Sequence, residues 1–258
     1  MWRNAVTPLD PEKPLLGFRA LFACPTYGNV DPHCAKHLRV AVMSAASKGL
    51  HWAGDISPDR LGYSFARNSV ASMARRFPDE FDGVMWVDSD IVCHPDSIIR
   101  LLTTARTHNL DFVTGVYHSR KPPNLPILYH WEPKIERYLQ CVTYPKDTTI
   151  SADACGFGFV WTSTRLINAI AEAPFFQPKE GWFPDRRDVG GFGEDISFGD
   201  HARHLEPRIQ LYVDTGVQVG HLGDAEVIWE KQFRDRNLTI DSPEIQTRVV
   251  EANWGAKA

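Results

Sequence analysis

No stretch of this chain stays apolar over the roughly 18 residues that a membrane-crossing helix needs. The first residues, Met1 to Lys13, carry polar side chains and prolines with no apolar run, so no signal peptide is expected. Five cysteines (Cys24, Cys34, Cys93, Cys141 and Cys155) are odd in number, widely scattered and free of any CxxC pair. They point to neither a zinc knuckle nor a disulfide framework, and predict reduced thiols in a cytoplasmic protein. A basic excess is also missing: the formal net charge is −4, which gives no general attraction to nucleic acid or an anionic membrane. Internal repeats and low-complexity segments do not occur.

What remains is an ordinary globule. Its 258 residues are 43% hydrophobic and 23% charged, enough to bury one sizeable core as a single domain. Residues 1–16 read as an arm, because Pro8, Pro11 and Pro14 are spaced against any helix. Phe18 to Cys24 is a short apolar run stopped by Pro25, the pattern of a buried strand. Asp31-Pro32 can start a helix carrying Ala35, Leu38, Val42 and Ala45 at helical spacing. A polar loop is expected from Gly54 to Gly62, then a helix from Phe65 to Arg76. A second buried strand, Phe81 to Val87, ends abruptly in Asp88-Ser89-Asp90. Asp96 to Thr107 follows as helix and Asp111 to Tyr117 as strand, so the first 117 residues alternate in the manner of a mostly parallel sheet.

The second half is less regular. Pro126 to Trp131 and the segment around Cys141 read as hairpin strands, and Cys155 to Thr162 as a strand leading into a helix to Glu172. Residues 174–193 are rich in Pro, Gly and aromatics, and a loop of that length reads as a functional lid or a disordered piece. Glu194 to Leu205 is expected as helix, Ile209 to Val213 as strand, and Gln218 to His221 as a short extended piece. The tail from residue 231 to 258 is partly helical by pattern.

Four groups of residues carry possible chemistry. Asp88 and Asp90 leave a buried strand at the edge of a parallel sheet where ligands of open α/β folds bind. Two carboxylates that close repel each other unless a cation neutralises them, and hard oxygen ligands suit Mg²⁺ or Mn²⁺. In any other loop the same pair is a solvated turn. Glu194-Asp195 follows the glycine-rich stretch Val189 to Gly193 at a helix start, where acids also simply complement the helix dipole. His221 stands between Gly220 and Gly223 with only Leu222 intervening, and a neutral imidazole there can complete a metal's ligands. The other histidines, such as His33, His37, His108 and His204, read as surface residues. Ala66-Arg67-Asn68 opens a helix with a guanidinium that matches diphosphate geometry. Softer candidates are Thr26 and Tyr27 after the first strand, Asp55, and Tyr117 with Arg120.

Taken in order, these pieces resemble the GT-A superfamily of nucleotide-sugar glycosyltransferases, family 2-like members with a D-x-D motif. The likeness runs from about Phe18 to Gly223: a Pro/Thr loop after the first strand, the Ala-Arg-Asn helix, hydrophobics then Asp-Ser-Asp, Gly-Glu-Asp-Ile-Ser-Phe, and Gly-His-Leu-Gly. It implies a Rossmann-like, mostly parallel sheet flanked by helices with a smaller antiparallel acceptor-side portion. Residues 17–230 would form one catalytic domain, with a nucleotide-binding half to about 117 and an acceptor half from 118 to 230. Asp88, Asp90 and His221 would hold Mn²⁺ or Mg²⁺ at the diphosphate of a UDP- or GDP-sugar. Asp195, or failing it Glu194, would be the general base of an inverting enzyme, although retaining relatives share the D-x-D and histidine. Thr26, Tyr27, Asp55, Arg67, Asn68 and Ser89 would face the nucleotide, and Trp182 and Phe183 would offer apolar faces to a sugar ring. The acceptor and the oligomeric state are not specified by these motifs.

Two other readings compete. A sugar-phosphate nucleotidyltransferase would want a glycine-rich, basic loop after the first strand, and Pro25 to Asn29 has one glycine and no basic residue before Lys36. A glycan- or nucleotide-binding module on a decayed fold would not need both aspartates, Glu194-Asp195 and His221 together.

Overall fold

The computed structural model describes residues 10–26, 28, 30–58, 60–187, 192–223 and 226–236. In chain order the elements are β1 (Arg19–Ala23), α1 (Pro32–Ser47), β2 (His51–Ile56), α2 (Tyr63–Arg76), β3 (Gly83–Val87), β4 (Ile91–Val92), α3 (Ser97–Thr107) and β5 (Phe112–Val116). They continue with β6 (Leu128–Glu132), β7 (Arg137–Gln140), β8 (Thr149–Ala152), β9 (Ala154–Cys155), β10 (Phe159–Ser163) and α4 (Thr164–Glu172). The last are α5 (Glu194–Arg203), β11 (Leu211–Gln218), β12 (Gly220–Leu222), β13 (Val227–Ile228) and α6 (Glu230–Arg236).

A seven-stranded sheet organises the chain, in the order β2-β1-β3-β10-β5-β11-β8. β1 runs parallel to both β2 and β3, and β5 parallel to β11. β10 enters antiparallel between β3 and β5, and β8 closes one edge antiparallel to β11. The protein is thus mixed α/β, with a mostly parallel central sheet flanked by helices. β1, β3, β5 and β11 all end on one edge of the sheet.

Strand alternation sorts the core into two layers. Val84 and Trp86 of β3 face Val70, Leu166, Ile170 and Phe198, drawn from α2, α4 and α5. Met85 and Val87 face Ala41, Val42, Leu101 and Leu102, drawn from α1 and α3. α1 begins as its sequence signals require: Pro32 sits in the first turn and the Asp31 carboxylate accepts from the His33 and Cys34 N–H groups.

Several segments differ from the sequence expectations. His51 to Ile56 is strand where Gly54 onward was expected as loop; it is a sheet edge whose pairing shifts register opposite Ala20/Leu21, which erases a clean alternation. β8 is another edge strand, four residues long, whose alternation of Ile150 and Ala152 with polar residues is too short to stand out. The expected strand from Cys155 to Thr162 is split, β9 joining the small β7-β6-β9 sheet and β10 the central one. The arm's last residues are not free: Leu15 is fully buried, and Arg106 Nη1 donates to the Pro14 and Leu16 carbonyls.

Candidate functional site

Asp88 follows β3 directly, and its N–H donates to the Gly158 carbonyl at 2.9 Å, fixing where the chain leaves the sheet. Three residues on, β4 pairs antiparallel with β12, placing His221 opposite Ile91, and the Leu222 N–H donates to the Asp90 carbonyl at 2.8 Å. This small sheet brings together two side chains 131 positions apart: His221 Nε2 lies 3.2 Å from Asp90 Oδ2.

The protonation of His221 follows from its other nitrogen. Nδ1 is 2.9 Å from the His118 carbonyl oxygen, which only accepts, so Nδ1 carries hydrogen and donates. Nε2 then faces a carboxylate with its lone pair unless a second proton or a cation lies between them. An imidazole nitrogen and a carboxylate oxygen so opposed form a donor set suited to Mn²⁺ or a similar ion. Burial pushes the Asp90 carboxyl up, but with a second proton on Nε2 the bond and charge of His221, joined by the charge of Arg120, outweigh it and leave the group below the usual range. Arg120 Nη1 is 3.2 Å from the same oxygen.

Asp88 is engaged differently. Arg67 Nη2 lies 3.0 Å from both of its oxygens, while Nη1 donates to Glu194 Oε1 at 2.8 Å. The guanidinium, on a residue 3% exposed, lies between the rings of Tyr63 and Phe157 at 5.7 and 5.5 Å. Burial opposes its charge, but Asp88, Glu194 and Asp195 hold the proton more firmly than usual. Arg67 therefore does not stand free to face a phosphate, as the sequence suggested; it ties the end of β3 to the start of α5. Among the described residues no three His, Cys, Asp or Glu side chains stand together as a ready metal cage. The preformed pair is Asp90 and His221, with Asp88 turned to Arg67.

At the start of α5, Asp195 is partly buried and Oδ1 accepts from the Ile196 N–H at 2.8 Å. Burial, then the charge of Glu194, pushes its carboxyl up to about 6, against the opposing pull of Arg67. Glu194 is itself buried and also receives Arg187 Nη2 at 3.3 Å.

The remaining sequence candidates fall as follows. Thr26 is buried and its hydroxyl donates to the Gly28 carbonyl at 2.6 Å, shaping the loop after β1; Tyr27 lies outside the described residues. Ser89 is partly buried between the aspartates, and Asp55 is exposed on the edge strand β2. The Asn68 amide is committed to the chain at 180–183, donating to the Glu180 carbonyl and accepting from the Trp182 and Phe183 N–H groups. Trp182 and Phe183 are not sugar platforms. They are 6% and 0% exposed, Trp182 Nε1 donates to the Ile167 carbonyl, and Phe183 packs with Trp86, Phe157 and Phe198. The expected lid is therefore anchored around residue 182; residues 188–191 lie outside the described residues.

Sequence reasoning missed His118, which was placed at the surface with the other histidines but is fully buried. Burial drives its imidazole down to about 4, so it is neutral, and Phe233 of α6 stacks on it at 5.1 Å. The available signal was its place: Tyr117-His118 ends β5 as Asp88 ends β3. Tyr117 sets its ring edge against His221 at 5.4 Å, and its hydroxyl accepts from the Gly158 N–H at 3.0 Å. A larger cavity of about 890 Å³ opens at the opposite end of the sheet, around Asp111, Arg165 and Tyr212, away from these carboxylates.

No protein-family model matches the sequence, and no curated protein matches it. Among solved structures the chain is similar to the crystal structure of A197 from STIV. The identity is 18%, the match covers 83% of this chain and 92% of that one, and the TM-score is 0.52. Identity that low carries the fold alone. All five cysteines are free thiols, and no helix among the described residues is long and apolar enough to cross a membrane.

Proposed function

We propose that this protein is a metal-dependent glycosyltransferase of the GT-A type, moving a sugar from a nucleotide-diphosphate donor to an acceptor hydroxyl. The observation that carries the reading is the facing pair Asp90–His221, with Nδ1 of the histidine already committed to a backbone carbonyl. Asp90 and His221 would hold Mn²⁺ or Mg²⁺, and such ions bind through few protein ligands when substrate phosphates supply the rest. When bound, the cation acts as a Lewis acid that stabilises the charge gathering on the departing nucleoside diphosphate.

The chain's own groups do the remainder. The acceptor oxygen attacks the anomeric carbon as the bond from that carbon to the phosphate oxygen breaks, and the electron pair leaves with the diphosphate. Asp195 takes the acceptor's proton. A carboxylate raised to about 6 is still ionised at neutral pH and is a stronger base than an unperturbed one. Arg67 holds Asp88 and Glu194 in fixed relation, so the donor-side turn and the acceptor-side helix start keep one geometry. Participation of Asp195 in this way corresponds to inversion at the anomeric carbon.

The test is Mn²⁺-dependent cleavage of a panel of UDP- and GDP-sugars, with Asp90→Ala as the control. Cleavage abolished by that substitution, with weakened binding of nucleoside diphosphate, supports the reading. Tight, metal-independent glycan binding without cleavage of any donor contradicts it.

A further inference from the structure

Beside the carboxylate edge lies a groove of about 600 Å³, within the range of small-molecule sites. One wall is the first turn of α2, which presents Tyr63 and Phe65, 43% and 73% exposed. The facing wall is the chain from Lys179 to Arg187. A single exposed aromatic is ordinary on a protein surface, so Phe65 alone decides nothing.

The groove's construction decides more. Its two walls are locked together: Ser64 Oγ donates to the Phe183 carbonyl at 2.5 Å, and Asn68 makes the three bonds to the 180–183 segment described above. Gly181 sits at φ +70°, and a Cβ there would lie 2.4 Å from Asn68 Oδ1, so the clamp requires glycine. The groove is therefore preformed and held open. Two of its lining residues also touch groups of the carboxylate site. Tyr63 covers the Arg67 guanidinium that binds Asp88, and Arg187 donates to Glu194, one residue before Asp195.

The lining chemistry selects a ligand class. Arg186 is paired with Glu180, and Arg187 with Asp185, which leaves Lys179 as the wall's one excess charge among many hydrogen-bonding groups. That is little cationic field for a strongly anionic polymer. A saccharide fits both walls: its C–H faces stack on aromatic rings, and its hydroxyls bond to planar guanidinium and carboxylate groups. We infer that this groove receives the acceptor as a saccharide chain, with the sugar units beyond the reacting one lying over Phe65 and Tyr63. The inference rests on the transferase reading for which sugar reacts, but the groove itself is tested by binding.

The experiment uses the full chain and two measurements. Saturation-transfer NMR and calorimetric titration are run with linear α- and β-linked oligomers of glucose, mannose, galactose and N-acetylglucosamine, one to four units long. For at least one series, trimers or tetramers are expected to bind about fivefold or more tighter than the monomer. Phe65→Ala should remove that length dependence, while Phe65→Trp keeps it; an exposed position makes both substitutions compatible with folding. No length dependence in any series, or length dependence unchanged in Phe65→Ala, overturns the inference. Donor cleavage, measured separately, keeps the two claims apart. Cleavage without length-dependent binding sinks the groove and leaves the transferase, whereas length-dependent binding without cleavage sinks the transferase and leaves a saccharide site.

Discussion

At the scale of single residues, the site gathers four acids, Asp88, Asp90, Glu194 and Asp195, around the buried Arg67, and the three aspartates have different neighbourhoods. Asp88 is neutralised by Arg67, Asp90 faces His221 and Arg120, and Asp195 is left with a carboxylate neighbour and partial burial. A carboxyl raised to about 6 in the folded protein disfavours its own ionisation there. The resulting cost to stability is present in full above pH 6 and fades as pH falls toward 4, where the unfolded chain's carboxyl is protonated too. Asp195→Asn should therefore raise stability at pH 7, on the order of 1–2 kcal/mol, measured as a shift in thermal midpoint that disappears near pH 4. The same substitution should lower transfer to an acceptor by about 10²-fold or more. In the wild type, kcat/KM should fall as pH drops through about 6, because the base takes up its proton; a flat profile between pH 5 and 8 would remove Asp195 from that role.

At the scale of elements, the site depends on three joints. Arg67 joins α2, the end of β3 and the start of α5. Replacing it by Gln leaves the partly buried Asp88 without its counter-charge and Glu194 with Arg187 alone, and a loss of about 3 kcal/mol in denaturant unfolding is expected. Asn68 joins α2 to the 180–183 segment, and Asn68→Ala should speed hydrogen exchange at the Trp182 and Phe183 amides ahead of the rest of the chain. The third joint is the close approach of β5 to the turn before β10. A Cβ on Gly156 would fall 1.9 Å from the Tyr117 hydroxyl, so Gly156→Ala must displace the ring that borders His221. Its expected signature is weakened Mn²⁺ binding by titration, even where the fold survives. Elements were legible in proportion to their burial. β3, β5 and β10 are buried at every position and read as apolar runs, whereas β2 is a sheet edge that alternates poorly and β8 an edge strand of only four residues. β11 runs on to Gln218, past the expected end at Val213, because Asp214 is buried yet paired with Arg100 and hydrogen-bonded by Thr104, both from α3. No local pattern announces that partner. The same holds for Arg67, in the first half of α2: nothing local announces that the distant Glu194 engages it.

At the scale of the whole molecule, the parallel strands deliver their following turns to one edge, and the chain's later part closes on it. β12 returns to pair with β4, β13 pairs with β12, and α6 stacks Phe233 on His118, whose carbonyl orients His221. Asp88-Ser89-Asp90 was legible from the sequence as a strand-end acid pair, and His221 as an isolated imidazole. Their juxtaposition comes from pairing across 131 positions, and the division of labour between Asp88 and Asp90 comes from Arg67. In the proposed reaction Asp90 and His221 act together on a cation that serves nucleotide-sugar cleavage. This joint action is tested most directly by comparing metal-dependent turnover of UDP- and GDP-sugars in the wild type, Asp90→Ala and His221→Ala, with Mn²⁺ binding followed by titration in parallel. Turnover of at least one donor is expected only with Mn²⁺ or Mg²⁺ present, with a loss of about 10²-fold or more and weakened Mn²⁺ binding in each variant. Turnover that persists without metal, or variants that bind Mn²⁺ and cleave donor as the wild type does, would contradict it.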